Sequence, residues 1–238
     1  MRLQTINRVI LLTCALAATA SMAFAQTSGQ YITGPTPPQP RAAMQQYNQI
    51  QLYQAMRPNV RVAPRASGNP MQVHAAAKLA AALQAPCEVI DAAPLSDRPT
   101  KNPDYEIVCK DALGWIISHA ADGKPLLNDC VALDAGAMAA GKAWPRGLLC
   151  SLPGNAMPVA GLKPIAAKVA PGCQLKNGTF LGGGGNPPIL RYEIACKDGK
   201  GYIVDAPAPG SAASLSSLTC DEAKAAGAAC TLVDKKKG

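Results

Sequence analysis

The sequence predicts an α+β protein of two tandem small disulfide-stapled modules, each a three-stranded antiparallel meander plus a short helix and a final short strand. Three observations carry this reading. The string Tyr105 to Asp111 (YEIVCKD) returns as Tyr192 to Asp198 (YEIACKD), and at the same offset Gly114 to Ile117 matches Gly201 to Val204. Four cysteines sit in the same order in each half: Cys87, Cys109, Cys130 and Cys150, then Cys173, Cys196, Cys220 and Cys230. Around them, short alternating runs are separated by turn residues, which is the pattern of strands rather than long helices.

The chain opens on a leader at 1–25. Arg2 and Arg8 precede the apolar stretch from Val9 to Ala18, and Ala23 to Ala25 forms a small-x-small cleavage pattern, so the mature chain starts near Gln26. The rival reading, a lipid-modified Cys14, suffers from the poor Thr13 before it. No second apolar run is long enough for a membrane span, so no transmembrane segment is expected. Localisation follows as periplasmic or secreted. Of nine cysteines, eight lie beyond the leader, an even number suited to disulfides in an oxidising compartment.

Residues 26–70 form a Pro/Gln-rich basic flexible arm that carries Arg41, Arg57, Arg61 and Arg65 without any acidic residue. Residues 71–86 read as an alanine-rich linker helix ended by Pro86. Module one occupies 87–152, a linker follows at 153–172, module two occupies 173–233, and 234–238 is a basic tail. In each module the first cysteine opens a strand. The repeated string forms a second strand with Tyr, Ile and Cys on one face and Glu on the other, and Asp111 to Gly114 or Asp198 to Gly201 turn into the third. Asn128 or Asp129 caps one helix and Thr219 the other, while Gly141 and Gly227 stop them. Ala76 to Leu79 is mirrored by Ala166 to Val169 ahead of module two.

Modules of roughly 60 residues bury too little to stand comfortably alone, and cystines offset the shortfall at about 2–4 kcal/mol each. A hairpin of the first two strands favours Cys87–Cys109 and Cys173–Cys196, leaving Cys130–Cys150 and Cys220–Cys230. The nested pairing, first with fourth and second with third, stays open.

The string Tyr-Glu-Ile-x-Cys-Lys-Asp, followed by Gly, an aromatic and two more cysteines, resembles repeats in exported proteobacterial proteins that carry such four-cysteine units in tandem. The likeness covers about Cys87 to Val233. It implies compartment and architecture, and it transfers no functional residue.

Chemistry is sparse. Only His74 and His119 exist, neither with a partner for proton transfer along the chain. The duplicated Glu106 and Glu193 compete between two roles, a carboxylate pair for interaction or acid–base work and solvated strand residues beside Lys110 and Lys197. Asp111 and Asp198 read as turn formers, and Gly182 to Gly185 as a hairpin tip, since no Lys-Ser/Thr follows to make a phosphate loop. Cysteine intervals of ten residues and more argue against zinc. No cofactor is expected.

Charge points the same way. From Gln26 to Pro86 there are five basic residues and no acidic one, while from Cys87 onward 16 basic residues face 15 acidic. The modules are thus near neutral, which argues against nucleic acid, and the arm offers weak contact with an anionic surface. The expected function is non-enzymatic: binding or interaction at the cell envelope, the partner being a protein or polymer. The alternative is an inhibitor or protective factor against a secreted enzyme, presenting the insertion around Trp144, Pro145 and Arg146.

Overall fold

The structure, a computed structural model, describes residues 63–96, 98, 100–141, 144 and 148–233. The leader, arm residues 26–62 with Arg41, Arg57 and Arg61, and the basic tail lie outside them.

Helix α1 (Pro70–Ala82) starts where local chemistry favours it. The Asn69 side chain accepts the Gln72 amide at 3.0 Å, the Gln72 side chain accepts the Asn69 amide at 2.9 Å, and Pro70 occupies the first turn. Its small Ala76 and Ala80 are fully buried, so the helix packs closely on the first sheet.

That sheet is a plain antiparallel meander of β1 (Val89–Pro94), β2 (Tyr105–Cys109), β3 (Trp115–His119) and β4 (Pro125–Asp129). Helix α2 (Cys130–Ala140) follows at once, its first turn capped by the Asp129 carboxylate, which accepts the Ala132 amide at 2.7 Å. Two short 3₁₀ turns, Pro153–Asn155 and Pro158–Leu162, lead into α3 (Lys163–Val169). The second sheet repeats the order with β5 (Leu175–Gly184), β6 (Ile189–Cys196), β7 (Gly201–Pro207) and β8 (Ser216–Thr219). It is closed by α4 (Cys220–Ala225), which carries a capping box between Thr219 and Glu222.

The α+β class and the stapling therefore hold, with two corrections to the expected layout. Each sheet has four strands rather than three, because Pro125–Asp129 and Ser216–Thr219 pair with β3 and β7 before the helices begin. No strand forms around Cys150 or Cys230, whose segments run past the sheets as irregular chain. The glycine run is corrected too. Gly182 to Gly184 belong to β5, with φ of +149° at Gly182 and +157° at Gly184, and only Gly185 enters the turn.

Four disulfides join Cys87–Cys109, Cys130–Cys150, Cys173–Cys196 and Cys220–Cys230, with Cα separations of 5.1 to 5.7 Å. The first and third tie the base of each β1–β2 or β5–β6 hairpin. The other two anchor the segment that leaves each helix.

One apolar cluster draws on both sheets. Tyr105, Ile107 and Ile117 from the first join Tyr192, Ile194 and Val204 from the second, with Ala76 and Ala80 of α1, Ala166 of α3 and Leu162 between them. Close approach explains a glycine here: a Cβ on Gly178 of β5 would lie 2.5 Å from Leu162 Cδ1. The opposite sheet faces are also covered. Ile116 packs with Leu133, Ala137 and Leu149, and Ile203 with Ala223 and Cys230. Among the described residues no helix is long and apolar enough to cross a membrane.

Candidate functional site

The duplicated glutamates are the first surprise. Alternation places Glu106 and Glu193 on the face away from the shared cluster, where solvent or Lys110 and Lys197 were the expected partners. Both are instead fully buried. Glu106 accepts the amides of Ser151 and Leu152 at 2.8 Å and the Asn155 side-chain amide at 3.0 Å. The Arg65 guanidinium pairs with it directly and also donates to the Leu149 carbonyl at 2.8 Å. Glu193 accepts the Thr231 amide at 2.7 Å, the Thr231 hydroxyl at 2.8 Å and the Leu232 amide at 2.5 Å. Each carboxylate thus clasps the two residues after the last cysteine of its half. A buried carboxylate is tolerated only when its oxygens are filled this way. This excludes both the solvated reading and the acid–base pair: the oxygens are used inside the protein.

The clasps also account for residues on either side of them. Gly114 leaves room for Asn155, since a Cβ there would sit 2.0 Å from the Asn155 Oδ1. Gly201 instead leaves room for the second staple, with Cys220 Sγ 2.6 Å from where its Cβ would be. Arg65 belongs to the stretch read as a flexible arm, yet residues 63–69 lie against the fold: the Arg65 amide donates to the Ser151 carbonyl at 3.2 Å, and Ser67 donates to Asp91 at 2.6 Å. Arg65 is therefore spent on Glu106 and withdrawn from the basic line expected to meet an anionic surface.

Trp144 is half-buried, its ring against Gly136 and its indole N–H donating to the Leu148 carbonyl at 3.3 Å. The Trp144 ring packs inward rather than reaching outward, and Arg146 lies outside the described residues. Lys110 keeps a surface pair with Glu88 at 3.5 Å. Asp198 accepts the Lys200 amide at 3.1 Å and Asp111 takes φ +49°, so both act in turns.

Three arrangements were open to chemistry. His119 Nδ1 lies 2.8 Å from Asp104, a partner that the sequence did not reveal. Ser118 is its neighbour on β3, so its hydroxyl projects from the other face, where it meets the Asn128 side chain at 3.4 Å. That is not a nucleophile–base alignment. Glu193 lies within 4.8 Å of both Cys220 and Cys230 sulfurs, but these are joined to each other and offer no thiolate to a metal. Finally, Asp129 is buried beside the Tyr192 hydroxyl of the other sheet. Burial pushes its carboxyl up to about 6, against the opposing pull of the Ala132 amide, and the same burial raises the Tyr192 phenol.

Among the described residues two grooves correspond between the halves, one at the outer edge of each sheet, and no sequence pattern announced them. Both edge strands bulge at the same place: the register slips between Val89 and Asp91, and again between Leu175 and Asn177. Ile90 and Lys176 are the extra residues, each three beyond a disulfide cysteine. Beside Ile90, α1 and β1 bound an open groove of about 710 Å³ lined by Val73, His74, Ile90 and Asp91. Ile90 is 56% exposed and neighbouring Met71 81%. Beside Lys176, the second 3₁₀ turn, α3 and β5 bound a tighter hollow of about 480 Å³ lined by Met157, Val159, Leu175 and three lysines, 163, 176 and 197. Concave sites with an apolar floor and a few polar groups are where small ligands bind. No family model, curated protein or solved structure matches this chain.

Proposed function

We propose that this is an exported, non-enzymatic binding protein of the cell envelope, in which one cystine-stapled module is used twice. The supporting observation is that each half builds a groove at the same bulge of its edge strand, while its duplicated carboxylate is consumed in holding the fold together. Bulged edges with an adjacent helix recur where proteins re-aim side chains toward a partner. Duplication offers two such surfaces on one chain, so a partner can be held at two points without catalytic groups. The leader and the four disulfides support action outside the cytoplasm.

The inhibitor alternative draws less support, because Trp144 packs inward and Arg146 would have to act alone. Affinity capture from envelope extract tests the choice. The mature chain and a version lacking 26–62 are expected to retain the same partner, and replacing 144–146 by Gly-Ser-Gly is expected to leave capture unchanged. Capture lost with the arm would overturn the module reading, and capture lost with the loop would favour the inhibitor.

A further inference from the structure

Resting on that reading, we propose that the groove beside Lys176 is a binding site for a phosphate group carried on an apolar body. The groove beside Ile90 is its diverged, non-phosphate counterpart.

Equivalent positions show how one groove became cationic. In the first half, Glu88 follows Cys87 and meets Lys110 across the strand pair at 3.5 Å. In the second, Gln174 follows Cys173, and its carbonyl accepts the Lys197 amide at 2.8 Å just as the Glu88 carbonyl accepts the Lys110 amide. The backbone pairing is therefore the same at the two positions, and the second half has no carboxylate there. At the bulge, Ile90 is replaced by Lys176, and Lys163 arrives from the start of α3. All three lysines are exposed, and the hollow has no acidic residue in its lining. Among the described residues none of the three forms an ion pair, whereas Lys110, Lys124 and Lys200 each do. The surrounding chain agrees: residues 135–192 contain six basic residues and no acidic one.

Ligand chemistry follows from the donors. A lysine ammonium is a compact point charge without the planar fork that fits a carboxylate, and three of them around a concave wall suit a tetrahedral oxyanion with several charged oxygens. Met157, Val159 and Leu175 beneath them add apolar surface, so the phosphate would be one end of a larger molecule. A lipid headgroup and a soluble phosphoester share this chemistry.

The mature, oxidised chain is titrated with hexyl phosphate, inorganic phosphate, hexanoate and phosphatidylcholine vesicles containing phosphatidylglycerol, with amide shifts and calorimetry as readouts. Hexyl phosphate is expected to move residues 157–163, 174–176 and 197, and to bind about tenfold more tightly than inorganic phosphate or hexanoate. Gln174→Glu restores the acid that the first half tolerates at this position, so it leaves the fold intact, and it is expected to weaken binding about tenfold. Lys176→Gln with Lys197→Gln is expected to abolish it. Binding of vesicles but not of hexyl phosphate, still lost in both variants, supports the site with a lipid as its source. Hexanoate binding equal to hexyl phosphate, or shifts spread evenly over Lys200 and Lys224, overturns it. Envelope capture that survives both variants overturns this site while leaving the binding reading standing; capture lost with neither groove altered sinks the wider reading instead.

Discussion

The two carboxylate clasps do the same task with different means, and the difference shows how a repeat diverges under a fixed fold. Glu106 has a cation in Arg65, an amide side chain in Asn155 and two backbone amides, all from segments outside its own hairpin. Glu193 makes do with Thr231 and Leu232. The loop that each clasp holds differs accordingly. Twenty residues separate Cys130 from Cys150, but only ten separate Cys220 from Cys230. A longer excursion needs more anchors, and the first half recruits them from the arm before it and the linker after it. The second half closes its short loop locally. A glutamate that stays constant while its partners change is holding chain in place.

That contrast can be broken most sharply at Glu106. Glu106→Ala leaves a half-buried guanidinium, two amides and Asn155 without their acceptor, and urea unfolding under oxidising conditions should show a loss of about 3–5 kcal/mol. The double variant Glu106→Gln with Arg65→Met should recover most of it, because a neutral pair removes the orphaned charge along with the acceptor. If the single variant costs under about 1 kcal/mol, the clasp is not structural.

The loops give the next test. Replacing Cys130 and Cys150 with alanine should cost about 3.3 kcal/mol by loop entropy, against about 2.7 kcal/mol for Cys220 and Cys230. Equal losses, or a larger one in the second half, would mean that native strain rather than loop length governs these staples. Glu193→Gln should cost about 1–3 kcal/mol, less than the change at Glu106, since it strands amides but no charge.

The smallest effect concerns the contact between the halves. Asp129 has its pKa raised from 3.8 to about 6 by burial, so the folded state holds its proton more tightly than the unfolded chain does. The resulting cost to folding is small below about pH 4, grows between about pH 4 and 6 and is complete above 6. Asp129→Asn keeps the cap on α2 and removes that cost. Its unfolding free energy in urea should come close to the parent's at pH 4 and exceed it at pH 7.5 by about 1–2 kcal/mol. A variant that is less stable at pH 7.5 would show that the charge itself holds the halves together.

The local elements were written in the sequence because local chemistry makes them. The repeated string, the turn residues after Cys109 and Cys196, the caps Asp129 and Thr219 and the alanine run of α1 all act within a few residues of themselves. The hairpin pairing of cysteines was legible for the same reason: strand ends in a hairpin are neighbours. The fourth strand of each sheet was missed because Pro125–Asp129 and Ser216–Thr219 are only five and four residues long, and only pairing with β3 and β7 makes them strands. Alternation showed correctly that Glu106 and Glu193 face away from Ile107 and Ile194. What lies over that second face could not be read from alternation. Ser151, Leu152 and Asn155 come from 45 to 49 residues beyond Glu106, and Arg65 from 41 before it. Burial, the apolar cluster common to both sheets and the two grooves are set by which distant segments meet. A one-dimensional period gives the face a side chain takes, and only the packed chain decides what that face meets.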